Sequence, residues 1–204
     1  MNTYANYWDN HARTVGHRLA VTDLSEHDYR ELYTDLFRQI APAKVTRMLD
    51  YGCGPALLLP IVREIWPECL YSGADISPEM IEWCKKTHGE VDGPSGTYFG
   101  VVPFNSIGSG FDFLTCHSVF THIQLADAVA LLKELHRLLI PGGCASISIH
   151  DSPLGDNNFE GSIERVDYNR RFFKGMLVQA GFSIEKVYEH TVNNGQCYLG
   201  VRKV

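Results

Sequence analysis

Two carboxylates and a glycine turn carry the first chemical signal. The segment Leu49-Asp50-Tyr51-Gly52-Cys53-Gly54-Pro55-Ala56 reads as a strand, a tight turn and a helix start. Glycine lets the backbone turn sharply and approach a ligand closely, and a helix start offers unpaired N–H groups. Asp50, at the strand end, suits an ammonium or a hydroxyl. The same Gly-x-Gly turn also serves strand–helix geometry alone. The second acid is Asp75, in Gly73-Ala74-Asp75-Ile76-Ser77. A carboxylate at the end of a second strand accepts two hydrogen bonds from a ribose diol. Its alternative role, a helix cap, is already filled by Ser77. The spacing would also suit a dinucleotide enzyme.

Five further polar residues fall at or after the ends of the expected fourth and fifth strands: His117, His122, His150, Asp151 and Asp156. Ligands bind beyond the carboxyl ends of strands in open parallel sheets. A histidine there takes a proton from a hydroxyl or an amine, or donates a hydrogen bond from behind the site. We rank His150 first as general base and His122 second, with Asp151 placed to orient a neighbouring ring. No metal is expected, since no compact His-x-x-x-His or Cys/His motif occurs.

The elements that must position these groups alternate along the chain. Residues 3–40 read as helical, with Tyr29, Leu32, Tyr33, Leu36 and Phe37 on one stripe, a start signal at Ser25 and a stop at Pro42. Strands are expected over 45–51, 70–74, 97–102, 111–117 and 144–149, and helices over 56–66, 78–87 and 125–139. Ser77-Pro78 is a cap followed by proline at the first helical position. Pro141-Gly142-Gly143 is expected to stop the 125–139 helix. Such alternation implies parallel strands, right-handed crossovers and helices on both faces. A helix over 168–180 then precedes strands at 182–189 and 196–202, joined by a turn containing Asn194-Gly195. Asn-Gly marks a hairpin, so the last strand should run antiparallel. Residues 151–168 form the one sizeable insertion, turn-rich and polar, suited to closing over a small molecule. Arg165, Arg170, Arg171 and Lys174 follow it as either a solvated basic face or an anion site.

The whole composition agrees with one folded domain over 1–204. Of 204 residues, 45% are hydrophobic and 21% charged, enough apolar side chain to oppose disorder. The formal charge of -6 disfavours a phosphate backbone as partner, so no nucleic acid is expected. No apolar run reaches the roughly 20 residues needed to span a bilayer, so no membrane partner is expected. Residues 1–10 lack the basic and apolar parts of a signal peptide. The six cysteines form no Cys-x-x-Cys pair, and several lie in apolar segments, which points to a reduced, cytoplasmic protein.

Four stretches together resemble the class I S-adenosylmethionine-dependent methyltransferase family. They are Leu49-Asp50-Tyr51-Gly52-Cys53-Gly54; Gly73 to Met80; Phe111-Asp112-Phe113-Leu114; and Leu135 to Gly143. The resemblance covers about residues 45–150, and the terminal hairpin suits it. It implies a Rossmann-like, doubly wound, seven-stranded α/β sheet, mostly parallel with an antiparallel last strand and helices on both faces. Residues 1–44 would be a helical cap, 45–150 the cofactor core, and 151–204 a substrate loop, helix and hairpin.

The resemblance also implies roles. Asp50, Gly52 and Gly54 would line the methionine part of S-adenosyl-L-methionine. Asp75 would hold the ribose and Ile76 the adenine face. His117 and Ser118 would lie beneath the sulfonium. Tyr7 and Trp8, with Tyr4 and His11, would either close over the cofactor, as ring faces attract a sulfonium, or simply anchor their helix. Two departures stand out. Ala56 occupies a position that is often glycine, a slight narrowing if its φ is negative. Val101 stands where an acid often binds the adenine amino group.

The expected reaction is methyl transfer to an O or N atom of a small molecule. Rival readings are a non-catalytic binder of the cofactor or of S-adenosylhomocysteine, and a nicotinamide-dependent oxidoreductase. The acceptor and the oligomeric state are not legible in the sequence.

Overall fold

The computed structural model describes residues 3–18, 22, 24–90, 96–102, 108–152, 163–189 and 195–204. Asp156, most of the 151–168 insertion, and turn residues 191–194 lie outside the described residues. Two helices come first, α1 (Thr3–Val15) and α2 (Glu26–Ile40). The region expected to be helical over 3–40 thus holds two helices, the second starting at the signal read at Ser25. Ser25 starts the second one by accepting the Asp28 N–H on its side chain.

The alternating core follows: β1 (Arg47–Tyr51), α3 (Leu59–Ile65), β2 (Leu70–Asp75), α4 (Pro78–His88), β3 (Thr97–Val101), β4 (Phe111–Cys116), α5 (Leu125–Leu138) and β5 (Leu139–Asp151). The chain closes with β6 (Asp167–Tyr168), α6 (Arg170–Gln179), β7 (Phe182–Tyr188) and β8 (Gln196–Lys203). The sheet order is β3-β2-β1-β4-β5-β8-β7, and β8 runs antiparallel to both of its neighbours. These are the seven expected strands. The two-residue β6, pairing with β5, is an eighth that has too few residues to show a sequence period.

The period-two alternation of the strands divides the core into two layers. Leu49, Leu114, Ala145 and Ile147 face the α5 and α6 side, packing with Leu132, Leu135 and Phe173. Met48, Phe113, Tyr71 and Tyr198 face the other side, against Leu36 and Phe37 of α2 and Val62 of α3. Helices therefore cover both faces.

Two boundaries differ from the sequence reading. Pro141-Gly142-Gly143 does not stop a helix. Helix α5 ends at Leu138, β5 starts at once, and the triplet bulges between Leu139, opposite Phe111, and Cys144, opposite Phe113. Helix α3 begins at Leu59 rather than at residue 56, because Ala56 has a left-handed φ of 56° that no right-handed helix accommodates.

Candidate active site

A cavity of about 540 Å³ opens at the carboxyl ends of β1 and β4. The chain proceeds from β1 to β2 and β3 on one side, then returns to β4 on the other. The cavity thus lies at the topological switch point, where open α/β sheets bind ligands. The loop after β1 builds its floor. Gly52 and Cys53 N–H groups both donate to the Ala74 carbonyl, at 2.6 and 3.0 Å, which folds the loop back onto β2. Gly52 and Gly54 have φ of 78° and 49°. A side chain at Gly52 would meet Val119 Cγ2 at 2.2 Å. The turn is therefore required sterically as well as conformationally. Ala56, with its left-handed φ, is a strained residue in this loop rather than a slight narrowing.

Both acids reach the cavity wall. Asp75 accepts the Gly54 N–H at 2.8 Å and the Ser77 N–H at 2.9 Å. Burial pushes its carboxyl up, and these N–H groups pull it back. The lone pairs not taken by the Gly54, Ser77 and Ile76 N–H groups remain for a ligand hydroxyl. Ser77 caps α4 through the Met80 N–H, as its sequence context indicated. Asp50 accepts from Tyr71 Oη at 2.6 Å and Thr115 Oγ1 at 2.8 Å. Burial raises its pKa to about 6 despite those two bonds. Ile76, Met80 and Val102 supply an apolar wall near Asp75. Val101 points outward and is exposed, so Val102 is the residue that meets the cavity.

The end of β4 provides the opposite wall. His117 is 8% exposed, and its Nε2 lies 2.8 Å from Ser146 Oγ. Its Nδ1 is buried without a partner. Burial lowers its pKa to about 3, so the ring is neutral. Ser118 has a φ of 56°, and its N–H donates to Ser148 Oγ at 2.8 Å. Gln196 joins both serines, accepting from Ser148 Oγ at 2.6 Å and donating to Ser118 Oγ at 2.8 Å. This support was missed in the sequence, although Ser146 and Ser148 alternate with Ala145, Ile147 and Ile149 and so share one face. Tyr29 and Tyr33 were also missed. They line the cavity with ring centroids 4.4 Å apart, and Tyr33 packs edge-on against Tyr198. Two hydroxyl-bearing rings on an otherwise apolar helical stripe were the available signal.

The two histidines ranked as bases separate. His122 lines the cavity. Its Nδ1 lies 3.0 Å from the Ile163 carbonyl, and a carbonyl only accepts, so Nδ1 carries the proton and Nε2 the lone pair. Burial lowers its pKa to about 4. His150 is not on the wall. Its Nδ1 is 3.2 Å from the Gly195 carbonyl, turned toward the β7–β8 hairpin. Strand β5 runs two residues past Ile149 and pairs there with β6, which carries His150 beyond the cavity. Asp151 orients no ring. It holds Arg170 through Nε and Nη2, at 2.9 and 2.6 Å. With Arg165 on Asp167, two members of the basic cluster are ion-paired.

Helix α1 roofs the cavity. Tyr4 and Trp8, one turn apart, line it, while Tyr7 stacks on His11 outside the lining. Trp8 packs edge-on against His122, with centroids 4.8 Å apart. Tyr4 Oη donates to Asp127 at 2.9 Å, and Asp9 accepts from Ser77 Oγ and the Glu79 N–H at the start of α4. Among the described residues no three metal-ligating side chains converge, and no helix is long and apolar enough to cross a membrane.

Comparison with known proteins adds three findings. Residues 25–187 match a family described as a methyltransferase domain. An uncharacterized protein of Rickettsia prowazekii (strain Madrid E) is 28% identical over 114 residues, which is 55% of this chain and 46% of that one. The trans-aconitate 2-methyltransferase of Azoarcus sp. (strain BH72) is 27% identical over 122 residues, 58% of this chain and 46% of that one. The match thus spans about half the length of these relatives. Among solved structures, magnesium protoporphyrin IX methyltransferase from Synechocystis PCC 6803, with bound S-adenosylhomocysteine, superposes with a TM-score of 0.74. It is 16% identical over 98% of both chains, a likeness of fold.

Proposed function

The chain belongs to the class I S-adenosylmethionine-dependent methyltransferase family, and from that premise we propose that it moves the methyl group of S-adenosylmethionine to an oxygen or nitrogen atom of a small molecule. One observation carries the reading: Asp50, Gly52, Gly54, Asp75, Ile76, His117 and Ser118 all line the cavity at the β1–β4 switch point. That lining fits the cofactor. Gly52 and Gly54 turn the loop at positive φ on the cavity lining, a buried carboxylate stands at the end of β2, and apolar side chains flank it.

When bound, the cofactor supplies an electrophilic methyl on a sulfonium. Asp75 would hold the ribose hydroxyls, and Ile76, Met80 and Val102 the adenine. Asp50 and the glycine turn would hold the methionine part, with His117 and Ser118 beneath the reacting centre. Trp8 and Tyr4 would exclude water from above and present ring faces to positive charge. If the acceptor needs a base, His122 fits better than His150, because it borders the cavity with a lone pair on Nε2. We read residues 1–204 as one methyltransferase domain. The roofed cavity and the acidic chain support a small acceptor over a nucleic acid. Six unpaired, buried cysteines support a cytoplasmic setting.

The test is transfer of tritium from methyl-labelled cofactor into a metabolite extract by the intact protein. Label in a small-molecule fraction is the expected result. Cofactor binding without transfer to any fraction would make the protein a binder and not an enzyme. Preference for a nicotinamide dinucleotide would remove the reading altogether.

A further inference from the structure

All 18 Lys and Arg residues of the chain lie among the described residues, and none lines the cavity. Among the described residues four carboxylates do: Asp50, Asp75, Asp127 and Glu134. Arg18, whose charge reaches Tyr29, donates to the Leu24 carbonyl at 3.2 Å and stays off the wall. Arg137 engages Glu134 through two bonds of 2.8 and 2.7 Å, and it too is outside the lining. Asp50, with only Tyr71 and Thr115 as partners, has no cation against it. The two histidines on the wall give no positive charge at neutral pH, because burial holds both rings neutral. His117 Nδ1, also on this wall, is buried and unpartnered. Among the described residues five tyrosine and tryptophan rings, of Tyr4, Trp8, Tyr29, Tyr33 and Tyr51, also line the cavity.

On the reading that this cavity holds S-adenosylmethionine and its acceptor, we infer that the acceptor is an amine on an apolar or aromatic body, and not a carboxylate. With Asp50 and Asp75 assigned to the cofactor, Asp127 and Glu134 are the carboxylates left to the acceptor, and a carboxylate acceptor would lose its water beside them with no cationic side chain to pair with. An ammonium meets the opposite sign and ring faces that attract it. Trans-aconitate, which names one of the relatives, is a polycarboxylate and would lack a cationic partner here. The chemistry favours the same class. A hydroxyl acceptor must give its proton to a base as it reacts, and imidazoles that stay neutral far into acid are weak bases for that task. An amine needs none. Its ammonium first sheds a proton to water. The nitrogen lone pair then forms the N–C bond while the S–C bond breaks, with that electron pair staying on sulfur as a thioether. The methylated ammonium leaves as a cation or loses a proton to water.

Two readouts test this with the intact protein. With S-adenosylhomocysteine present, phenethylamine should bind at least about ten-fold more tightly than hydrocinnamate, which carries a carboxylate on the same phenethyl body, by calorimetry. Equal affinity or the reverse order overturns the inference. In the tritium transfer experiment, the labelled product should bind a cation exchanger and survive mild base. Base-released volatile label would mark a methyl ester, and base-stable neutral label an ether. Either overturns the amine assignment while leaving the methyltransferase reading intact. Absence of label in every fraction, with cofactor bound, rejects the methyltransferase reading itself.

Discussion

At the scale of single residues, Asp75 and His122 carry the clearest expectations. Asp75 combines two backbone N–H bonds with a place on the cavity wall. Asp75→Ala should weaken cofactor binding by about 1–3 kcal/mol, read by calorimetry on the folded variant. An unchanged dissociation constant would put the ribose elsewhere. His122 is legible through pH. Unfolded, its ring takes a proton near pH 6.5; folded, burial delays this to about 4. Between those values the unfolded chain binds more protons, so stability is full above about pH 6.5 and falls as pH drops toward 4. His122→Gln removes that loss. From neutral pH to about pH 4, the variant should gain about 2–3 kcal/mol relative to wild type in denaturant unfolding. Asp50 and His117 titrate in both proteins and cancel in the comparison. A constant gap would mean that His122 titrates in the folded protein as it does in water. Residue types and spacing singled out Asp50, Asp75 and the glycine turn, which border the cavity, because strand ends and turns are local features. They ranked His150 above His122 because the wall depends on where β5 ends and what the hairpin covers, which are tertiary facts.

At the scale of elements, the loop between β1 and α3 and helix α1 are the informative pieces. Ala56 sits at a φ of 56°, where an L-residue costs about 1–2 kcal/mol. Ala56→Gly removes that strain but frees the unfolded chain, so a net gain of roughly 0.5–1 kcal/mol is expected in thermal unfolding. Loss of stability would show that the left-handed φ is not strained here. The sequence placed an alanine in a glycine-rich loop without disclosing its φ, and so the start of α3 was read too early. Gly52 adds a steric test. Gly52→Ala should destabilise the fold through Val119, and Val119→Ala should restore much of the loss, because the added methyl would collide with Val119 Cγ2. Strictly additive effects would exclude that collision as the cause. Helix α1 is held over the cavity by polar contacts to α4 and α5. Asp9→Ala removes its grip on Ser77 and the Glu79 N–H. Limited proteolysis within residues 3–15 should then quicken in the cofactor-free protein, and equal cleavage rates would deny Asp9 that role. The aromatic spacing in this helix was legible from the start. Which rings face inward was not, since that depends on how the helix docks.

At the scale of the molecule, the strand–helix alternation predicted the parallel sheet and both helical layers, because period-two and helical patterns report burial directly, and the Asn194-Gly195 hairpin signal predicted the antiparallel β8. The β6 strand and the bulge at Pro141-Gly142-Gly143 escaped, since each is shorter than a period or imitates a helix stop. The polar support formed by Ser146, Ser148 and Gln196 joins strands β5 and β8, which the chain separates by a helix and another strand. Only the closed sheet brings it to Ser118. The most direct test of the central claim is a crystal structure of the protein with S-adenosylhomocysteine. The ribose should lie on Asp75, the adenine beside Ile76 and Val102, the methionine part along Asp50 and the glycine turn, and the sulfur toward His117 and Ser118. A ligand bound anywhere else, or a cavity that stays empty at saturating ligand, would contradict the account.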